Sequence, residues 1–401
     1  ADTATLDPEK VIALITSDGG PQAHTAILAR GLGLPAIVAA KGVTDIADGT
    51  IVYIDSNEGI VDTEPTDADR EAAIKYANRK PVADFDGKGV LADGTRVELY
   101  ANVGDGKSAE KAASLKAEGV GLLRTEFGFL GHDAEPSIET QAKTYKSVFD
   151  AFPGKHIVVR TLDAGADKPL PFLNVNPEEN PALGVRGFRT DWTVPGVLTR
   201  QLEAIKLASE DSDADIWVMA PMISTTSEAR NFANMLKEIG LPVHGVMVET
   251  PAAVMNAEAI LGEVDFVSIG TNDLTQYTMA ADRLLGDLAH LNNPWQPAVL
   301  KMIKMTVEGA QRASVTAGKK KYVSVCGEAA ADPALAVVLI GLGVDTLSMN
   351  AGAIPAVAAV LKSVTKEKAQ QIAAIALQQI SSAEAKESAR KALPILDELG
   401  L

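Results

Sequence analysis

Cysteine and aromatic residues are scarce in this sequence of 401 residues. Its single cysteine, Cys326, cannot form an intrachain disulfide, which excludes a disulfide-stabilised secreted scaffold and favours the cytoplasm. Aromatic residues make up only 4% of the chain, while apolar residues as a whole reach 46%. That balance is typical of an α/β protein with a sizeable core, not of a disordered chain.

Positive charge and long apolar runs are lacking as well. The 37 Lys and Arg residues are outnumbered by 53 Asp and Glu residues, which gives a formal net charge of −16. A nucleic-acid-binding surface needs clustered basic residues, so we expect no nucleic-acid partner. No apolar run reaches the roughly 18 residues of a membrane span, and the first residues lack the pattern of a signal peptide. We therefore expect no membrane partner.

Three regions follow one another along the chain. Short apolar runs alternate with glycine-rich turns up to residue 62, which predicts a small α/β domain over 1–62. Residues 63–90 are largely polar, with alanines at helical spacing before Pro81, and we predict a helical linker there. The third region, 91–401, repeats a pattern of short apolar strand and amphipathic helix, which predicts a parallel sheet.

Eight apolar runs in the third region are candidate strands. They are 97–103, 121–125, 157–163, 216–222, 245–250, 266–271, 322–327 and 346–349. Eight such units over roughly 300 residues match a (β/α)₈ TIM-type barrel, whose active sites lie at the C-terminal ends of the strands. The predicted fold class is therefore α/β, with a small domain followed by a TIM-type barrel.

A histidine in the first domain, His24, stands just before a predicted helix. It lies in GGPQAHTAILAR, residues 19–30. Backbone N–H groups at a helix N-terminus favour an anion such as phosphate, although a lone histidine beside a turn is more often a cap or solvated. This string, and GLPAIV at 33–38, resemble the phosphohistidine domain of the phosphoenolpyruvate-utilising enzymes.

Three arginines stand at or near predicted strand ends: Arg124, Arg160 and Arg283. A planar guanidinium group binds carboxylate and phosphate bidentately, and phosphoenolpyruvate carries both groups. Any one of these residues alone could equally form a surface ion pair. Together they predict an anion site at the barrel mouth.

Two carboxylates occupy similar positions, Glu249 in VMVETP (246–251) and Asp273 in SIGTNDL (268–274). Carboxylate oxygens together with a substrate phosphate suit Mg²⁺, while either acid alone could be a helix cap or an arginine partner. Asn272 could donate a hydrogen bond to the phosphoryl group. Cys326, in VCGE (325–328), is either a small buried hydrophobe or a general acid that protonates an enolate.

Taken together, these strings resemble Enzyme I of the bacterial phosphotransferase system over essentially the whole chain. The most specific segments are 19–30, GVGLLRTEF at 119–127, NPALGVR at 180–186, and 268–283. The resemblance implies that His24 is phosphorylated, that Glu249 and Asp273 bind Mg²⁺, and that Cys326 protonates the enolate of pyruvate. The residues it implies for holding phosphoenolpyruvate are Arg124, Arg160, Asn272 and Arg283.

The resemblance also implies partners. The phosphoryl group would pass from His24 to the carrier protein HPr in sugar uptake, and the enzyme would form a homodimer through its barrel. Pro21-Gln22-Ala23 depart from the Arg-Thr-Ser or similar that commonly precedes the histidine, which removes a hydroxyl and a positive charge. Since the chain opens at Ala1 without an initiator Met, we interpret it as a fragment that lacks the N-terminal HPr-binding region.

Two alternatives remain open at this point. Pyruvate phosphate dikinase and phosphoenolpyruvate synthase share the phosphohistidine domain and the barrel but add an ATP-binding domain. The string QYTMAADR at 276–283 favours Enzyme I over both. A regulatory paralogue of Enzyme I would carry the same chemistry behind a different upstream domain.

Overall fold

The computed structural model describes residues 11–18, 34–56, 59–77, 82–164, 170–173 and 177–401. These residues fall into two compact units. One contains the described residues up to 77 together with Met279–Asn293 and Gly400. The other contains Val82–Thr278, Pro294–Leu399 and Leu401. His24 lies outside the described residues.

The first unit contains two short sheets and a helix. Strand β1 (Leu14–Ile15) pairs in parallel with β2 (Ala36–Ile37), and β3 (Tyr53–Asp55) pairs antiparallel with β4 (Ile60–Asp62). Helix α1 (Asp67–Ala77) follows, within the predicted linker. The helix begins with a reciprocal cap, because Thr66 N donates to Asp69 Oδ2 at 2.8 Å while Asp69 N donates to Thr66 Oγ1 at 3.2 Å.

The second unit is built on eight parallel strands: β5 (Glu98–Val103), β6 (Gly119–Arg124), β7 (His156–Arg160), β8 (Asp215–Ala220), β9 (His244–Val248), β10 (Phe266–Gly270), β11 (Tyr322–Cys326) and β12 (Thr346–Met349). They close into a barrel in the order β10-β11-β12-β5-β6-β7-β8-β9. Each overlaps one of the eight predicted runs. The predicted fold class, with its TIM-type barrel, is confirmed.

Helices follow the strands around the outside of the barrel. They are α2 (Gly106–Ser114), α3 (Ile138–Phe149), α4 (Val197–Ser209), α5 (Thr226–Ile239), α6 (Pro251–Met255), α7 (Ala257–Glu263), α8 (Thr271–Met279), α9 (Pro297–Ala317), α10 (Glu328–Ala331), α11 (Pro333–Leu342), α12 (Ile354–Leu361), α13 (Lys366–Leu377), α14 (Ser382–Lys391) and α15 (Ile395–Leu399). Helix α5 shows how the sequence sets their ends. A capping box of Thr225 and Glu228 starts it, and Gly240, with a φ of 84°, ends it.

Alternate strand residues divide the apolar core into two layers. Outward-facing residues such as Val267 and Ile269 pack in a continuous cluster with the surrounding helices. A smaller cluster of apolar side chains fills the barrel itself: Leu122, Val158, Met219, Met247, Phe266 and Cys326. The interior is therefore packed, as expected for a barrel of this size, and any site must lie at one of its two mouths.

None of the helices in the described part of the chain combines the length and the apolar character that crossing a membrane requires.

Candidate active site

The strand register brings most of the predicted site residues to the C-terminal mouth of the barrel. Arg124 and Arg160 end neighbouring strands and are register partners, and Cys326 ends β11 opposite Gly270. Glu249 directly follows β9, while Asn272 and Asp273 lie in the first turn of α8. Since the carboxyl ends of all eight strands face the same way, these six residues share one mouth.

Arg160 is buried and held by acidic neighbours. Its Nη2 donates to both carboxylate oxygens of Glu126 at 3.0 Å, and its Nη1 lies 3.5 Å from Asp163. Burial alone would lower the pKa of Arg160, but Glu126 and Asp163 outweigh it and raise the pKa above its usual value. Its Nε has no acceptor among the described residues. A buried donor in this position is suited to an anionic ligand, because leaving it unpaired costs about 1–3 kcal/mol.

Arg124 is more accessible than Arg160. Among the residues that the structure describes, no carboxylate forms an ion pair with it. Two neighbouring guanidinium groups, one fixed by acids and the other not, form a cationic edge at the mouth.

Arg186 is a third arginine of this mouth, and sequence reasoning assigned it no role. Its side chain is only 5% exposed and forms two hydrogen bonds with Asp163, at 3.2 Å from Nε and 2.8 Å from Nη2. It also contacts Asp273, at 3.1 Å from Nη1 to Oδ1 and 3.5 Å from Nη2 to Oδ2. Burial alone would lower the pKa of Arg186, but these two carboxylates raise it above its usual value. The segment 180–186 had stood out in the sequence, but no pattern in it indicated a partner 87 residues away.

Tyr277 is a further residue that the sequence did not single out. Its hydroxyl accepts a bond from Arg186 Nη1 at 3.4 Å and donates to the carbonyl of Ala182. The hydroxyl thereby ties α8, which carries Asp273, to the loop that carries Arg186. Burial raises the pKa of Tyr277, so it stays a neutral donor.

Glu249 is the most deeply buried acid of the mouth, at 1% exposure. Its Oε1 accepts a hydrogen bond from the backbone N–H of Met222 at 2.7 Å. Its Oε2 lies so close to Gly270 that a Cβ on that residue would come within 2.6 Å of it. Burial, together with the nearby charges of Asp273 and Asp163, raises the pKa of Glu249 to about 8, although Arg160 and Arg186 act in the opposite direction.

Cys326 ends β11, and Asn272 lies beside the residue that follows it. Cys326 is only 2% exposed, and its Sγ donates to the carbonyl of Ile269 at 3.6 Å. Burial raises the pKa of Cys326, so the sulfur keeps its proton at neutral pH, as a proton donor must. The side chain of Asn272 lies against Gly327, where an added Cβ would come 3.3 Å from its Oδ1.

The carboxylates of the mouth suit a divalent cation with few protein ligands. No group of three or more His, Cys, Asp or Glu side chains arranged around a metal position occurs in the described ranges. Glu249 and Asp273 supply two hard oxygen ligands, and Mg²⁺ commonly takes one or two carboxylates plus substrate phosphate and water. Their mutual repulsion, which raises the pKa of Glu249, is what a bound cation would relieve. The donor set fits Mg²⁺.

Two predicted site residues are not placed in this mouth. His24 lies outside the described residues. Arg283 follows α8 in the segment Met279–Asn293, which belongs to the other compact unit. The roles assigned to both residues stay predictions.

Comparison with known proteins places the chain in a family. Residues 82–366 match the family model for the PEP-binding domain of the PEP-utilising enzymes, and residues 1–59 match the model for their mobile domain. The chain therefore belongs to the phosphoenolpyruvate-utilising enzymes.

Relatives within that family narrow the assignment. The phosphoenolpyruvate-protein phosphotransferase of Streptomyces coelicolor is 46% identical over 98% of this chain and 70% of its own length. The protein of the same name from Haloferax volcanii is 40% identical over 96% of this chain and 69% of its own. A multiphosphoryl transfer protein of Xanthomonas campestris is 40% identical over 94% of this chain but only 46% of its own length. The resemblance predicted from the motifs is confirmed, and the chain is an enzyme of the phosphoenolpyruvate-protein phosphotransferase family.

Proposed function

We propose that this chain transfers the phosphoryl group of phosphoenolpyruvate to its own His24 and releases pyruvate. The observation that carries the proposal is the pairing of Arg124 and Arg160 at neighbouring strand ends, beside two buried acids and a protonated thiol. This reaction needs three components: cationic groups that bind the anionic substrate, ligands for a metal, and an acid that protonates the enolate.

Substrate binding would begin with the arginines. Glu126 fixes the orientation of Arg160 through Nη2, which leaves Nε to donate to the carboxylate or phosphate of the substrate. Arg124 supplies a second guanidinium group one strand away. Asn272 would add an amide donor to the phosphoryl group, and Arg283 would complete the set. Such fixed donors stabilise transition-state charge without reorganising during the reaction.

The transfer step exchanges one bond to phosphorus for another. The bond between phosphorus and the enol oxygen of the substrate breaks, and a bond between phosphorus and a ring nitrogen of His24 forms. The departing pyruvate enolate takes the thiol proton of Cys326 at its methylene carbon and becomes pyruvate. The resulting thiolate recovers a proton from solvent, which closes the cycle.

Mg²⁺, held by Glu249 and Asp273, would neutralise charge on the substrate phosphate. Asp273 would then serve both the metal and Arg186, whose Nη1 lies 3.1 Å from its Oδ1. Arg186 keeps Asp163 as a partner in either case.

The names of the relatives describe transfer of a phosphoryl group to a protein. We propose that phosphorylated His24 passes its phosphoryl group to the carrier HPr in sugar uptake, that the enzyme acts as a homodimer, and that it works in the cytoplasm. The scarcity of cysteine supports the last point.

Labelled phosphoenolpyruvate tests the central step. With Mg²⁺ the protein should acquire acid-labile, alkali-stable label, and His24→Ala should abolish the labelling while substrate binding, measured by calorimetry, persists. His132→Ala, a change of an exposed histidine, is the matched control and should label normally. Undiminished labelling of His24→Ala would overturn the assignment of the acceptor.

A further inference from the structure

The turn that follows β8 contains an unusual backbone conformation. Met222 has a φ of 58°, in the left-handed region that residues other than glycine, asparagine and aspartate seldom adopt. Met222 is also only 2% exposed, so the conformation belongs to a packed part of the protein and not to a surface loop. Strained residues of this kind often occur where a site needs a backbone group aimed in a particular direction.

The N–H of Met222 is aimed at the carboxylate of Glu249. The distance from Met222 N to Glu249 Oε1 is 2.7 Å, at the short end of the range for a bond from a backbone amide. Gly270 leaves room for the other oxygen, Oε2. One oxygen of Glu249 is thus held by the turn, and the other lies against Gly270 of β10.

The same turn is interlocked with the loop that carries Arg186. Gly187, which follows Arg186, has a φ of 58°, and an added Cβ would lie 2.9 Å from the Cβ of Met222. Phe188 N also donates to the carbonyl of Pro221 at 3.4 Å. The turn and the loop are thus packed against each other, which leaves Met222 little room to relax to a negative φ.

We infer that the main-chain amide of Met222 is a positioning group for Glu249, and that its left-handed backbone conformation aims it. The inference rests on the proposed function, because it takes Glu249 as a metal ligand. Fixing Oε1 lowers the entropy that Glu249 must lose when it binds a cation, and it presents Oε2 in one orientation. Groups that orient a metal ligand in this way typically change metal affinity by 10- to 100-fold when they are lost.

Two isomeric substitutions separate the backbone effect from side-chain packing. Leu and Ile have the same volume, but only Ile branches at Cβ, and a β-branched residue is strongly disfavoured at positive φ. Met222→Ile should therefore move the amide away from Glu249, whereas Met222→Leu should leave it in place. Mn²⁺, an ion that prefers similar oxygen ligands, is the probe, and its binding to the substrate-free protein is measured by electron paramagnetic resonance.

We expect M222I to bind Mn²⁺ at least tenfold more weakly than the wild type, and M222L to stay within about threefold of it. Lys116→Ile is the control for strain alone, since Lys116 has a φ of 62° and lies on the surface after α2. It should lower thermal stability without changing Mn²⁺ affinity. Gly187→Ala, which displaces Met222 through its neighbour, should weaken binding as M222I does and serves if M222I fails to fold.

Equal affinities of M222I and M222L, or an equal loss in K116I, would overturn the inference. Glu249→Gln distinguishes this failure from failure of the proposed function. If E249Q loses Mn²⁺ binding while M222I keeps it, only the role of Met222 is wrong. If E249Q binds Mn²⁺ as tightly as the wild type, the metal role of Glu249 is wrong, and the inference fails with it.

Discussion

The two mouths of the barrel are made by the same eight strands but have opposite chemistry. At the C-terminal mouth, arginines and acids are buried against one another, as Arg186 is against Asp163 and Asp273. At the N-terminal mouth, aromatic rings pack together instead. The ring of Trp217 lies 4.3 Å from that of His156 and 4.9 Å from that of Phe266.

This difference indicates that the C-terminal mouth carries the functional groups, while the N-terminal mouth contributes to the stability of the fold. Aromatic side chains pack favourably against one another, and the burial of their apolar surface stabilises the fold. Buried ionised groups lose hydration, which is costly unless other charges or a ligand compensate, so a cluster of them indicates a site and not a stabilising device. Strand β7 contains both kinds, with His156 at its start and Arg160 at its end.

The largest expected effect is on turnover, at the C-terminal mouth. Asp273→Asn removes one charge of the proposed metal site and should reduce pyruvate formation by about 10²- to 10³-fold, as loss of electrostatic stabilisation typically does. Thermal stability without metal should change little, because Arg186 keeps Asp163 and the repulsion of Glu249 by Asp273 disappears. Steady-state rates against Mg²⁺ concentration measure the effect.

Asp215→Asn is the same change at the other mouth, at the start of β8. It should leave the rate of pyruvate formation and its Mg²⁺ dependence unaltered. If Asp273→Asn instead lowered the melting temperature and preserved the Mg²⁺ dependence, Asp273 would be only an arginine partner.

The next effect is on stability, at the N-terminal mouth. Trp217→Ala removes a half-buried ring that contacts three others, and the free energy of unfolding should fall by about 3 kcal/mol. Turnover of the folded fraction should be unchanged, since the ring lies at the far end of β8 from Met222. Urea unfolding followed by circular dichroism measures the loss.

Trp192→Ala provides the comparison, because that side chain is 61% exposed and has little packing to lose. Equal losses in the two variants, or a drop in turnover for Trp217→Ala, would contradict the division between the mouths.

The sequence predicts those features of the barrel that depend on residues close together along the chain. Buried parallel strands appear in the sequence as short apolar runs, so all eight strands of the barrel were predicted. Polar residues that directly follow a strand, such as Glu249, could be identified from the same runs. The run 216–222 was predicted two residues too long. Pro221 and Met222 are apolar, but the positive φ of Met222 ends the strand at Ala220.

The residues that were missed depend on contacts distant in sequence. Glu126 lies in a 3₁₀ turn and Arg186 in a long loop, and their roles arise from partners 34 and 87 residues away. Nor does any residue type indicate that Met222 will take a left-handed backbone conformation, because its neighbour there, Gly187, is distant in sequence. The local sequence pattern predicts the strands, whereas the ion pairs form between residues that only the folded chain brings together.

The smallest expected effect concerns Asp265, which precedes β10 at the N-terminal edge. Its Oδ1 lies 2.7 Å from Lys319 Nζ, and its Oδ2 lies 3.1 Å from His244 Nδ1. Burial alone would raise the pKa of Asp265, but hydrogen bonds from His244 and Lys319 outweigh it and hold the pKa well below its usual value. The Glu249 carboxyl at the opposite mouth is shifted the other way, to about 8.

The two shifts give opposite pH dependences for the metal-free protein. Ionised Asp265 stabilises the fold fully above about pH 4, and its contribution is lost as the pH falls through the lowered folded pKa. Protonated Glu249 contributes most below about pH 4.5, and its contribution is lost as the pH rises towards 8. Asp265→Asn should cost about 1 kcal/mol at pH 7 and flatten the acid limb of a urea-midpoint profile, whereas Glu249→Gln should flatten the decline between pH 5 and 8. An acid limb that is unchanged in Asp265→Asn would contradict the contribution assigned to the contacts of Asp265 with His244 and Lys319.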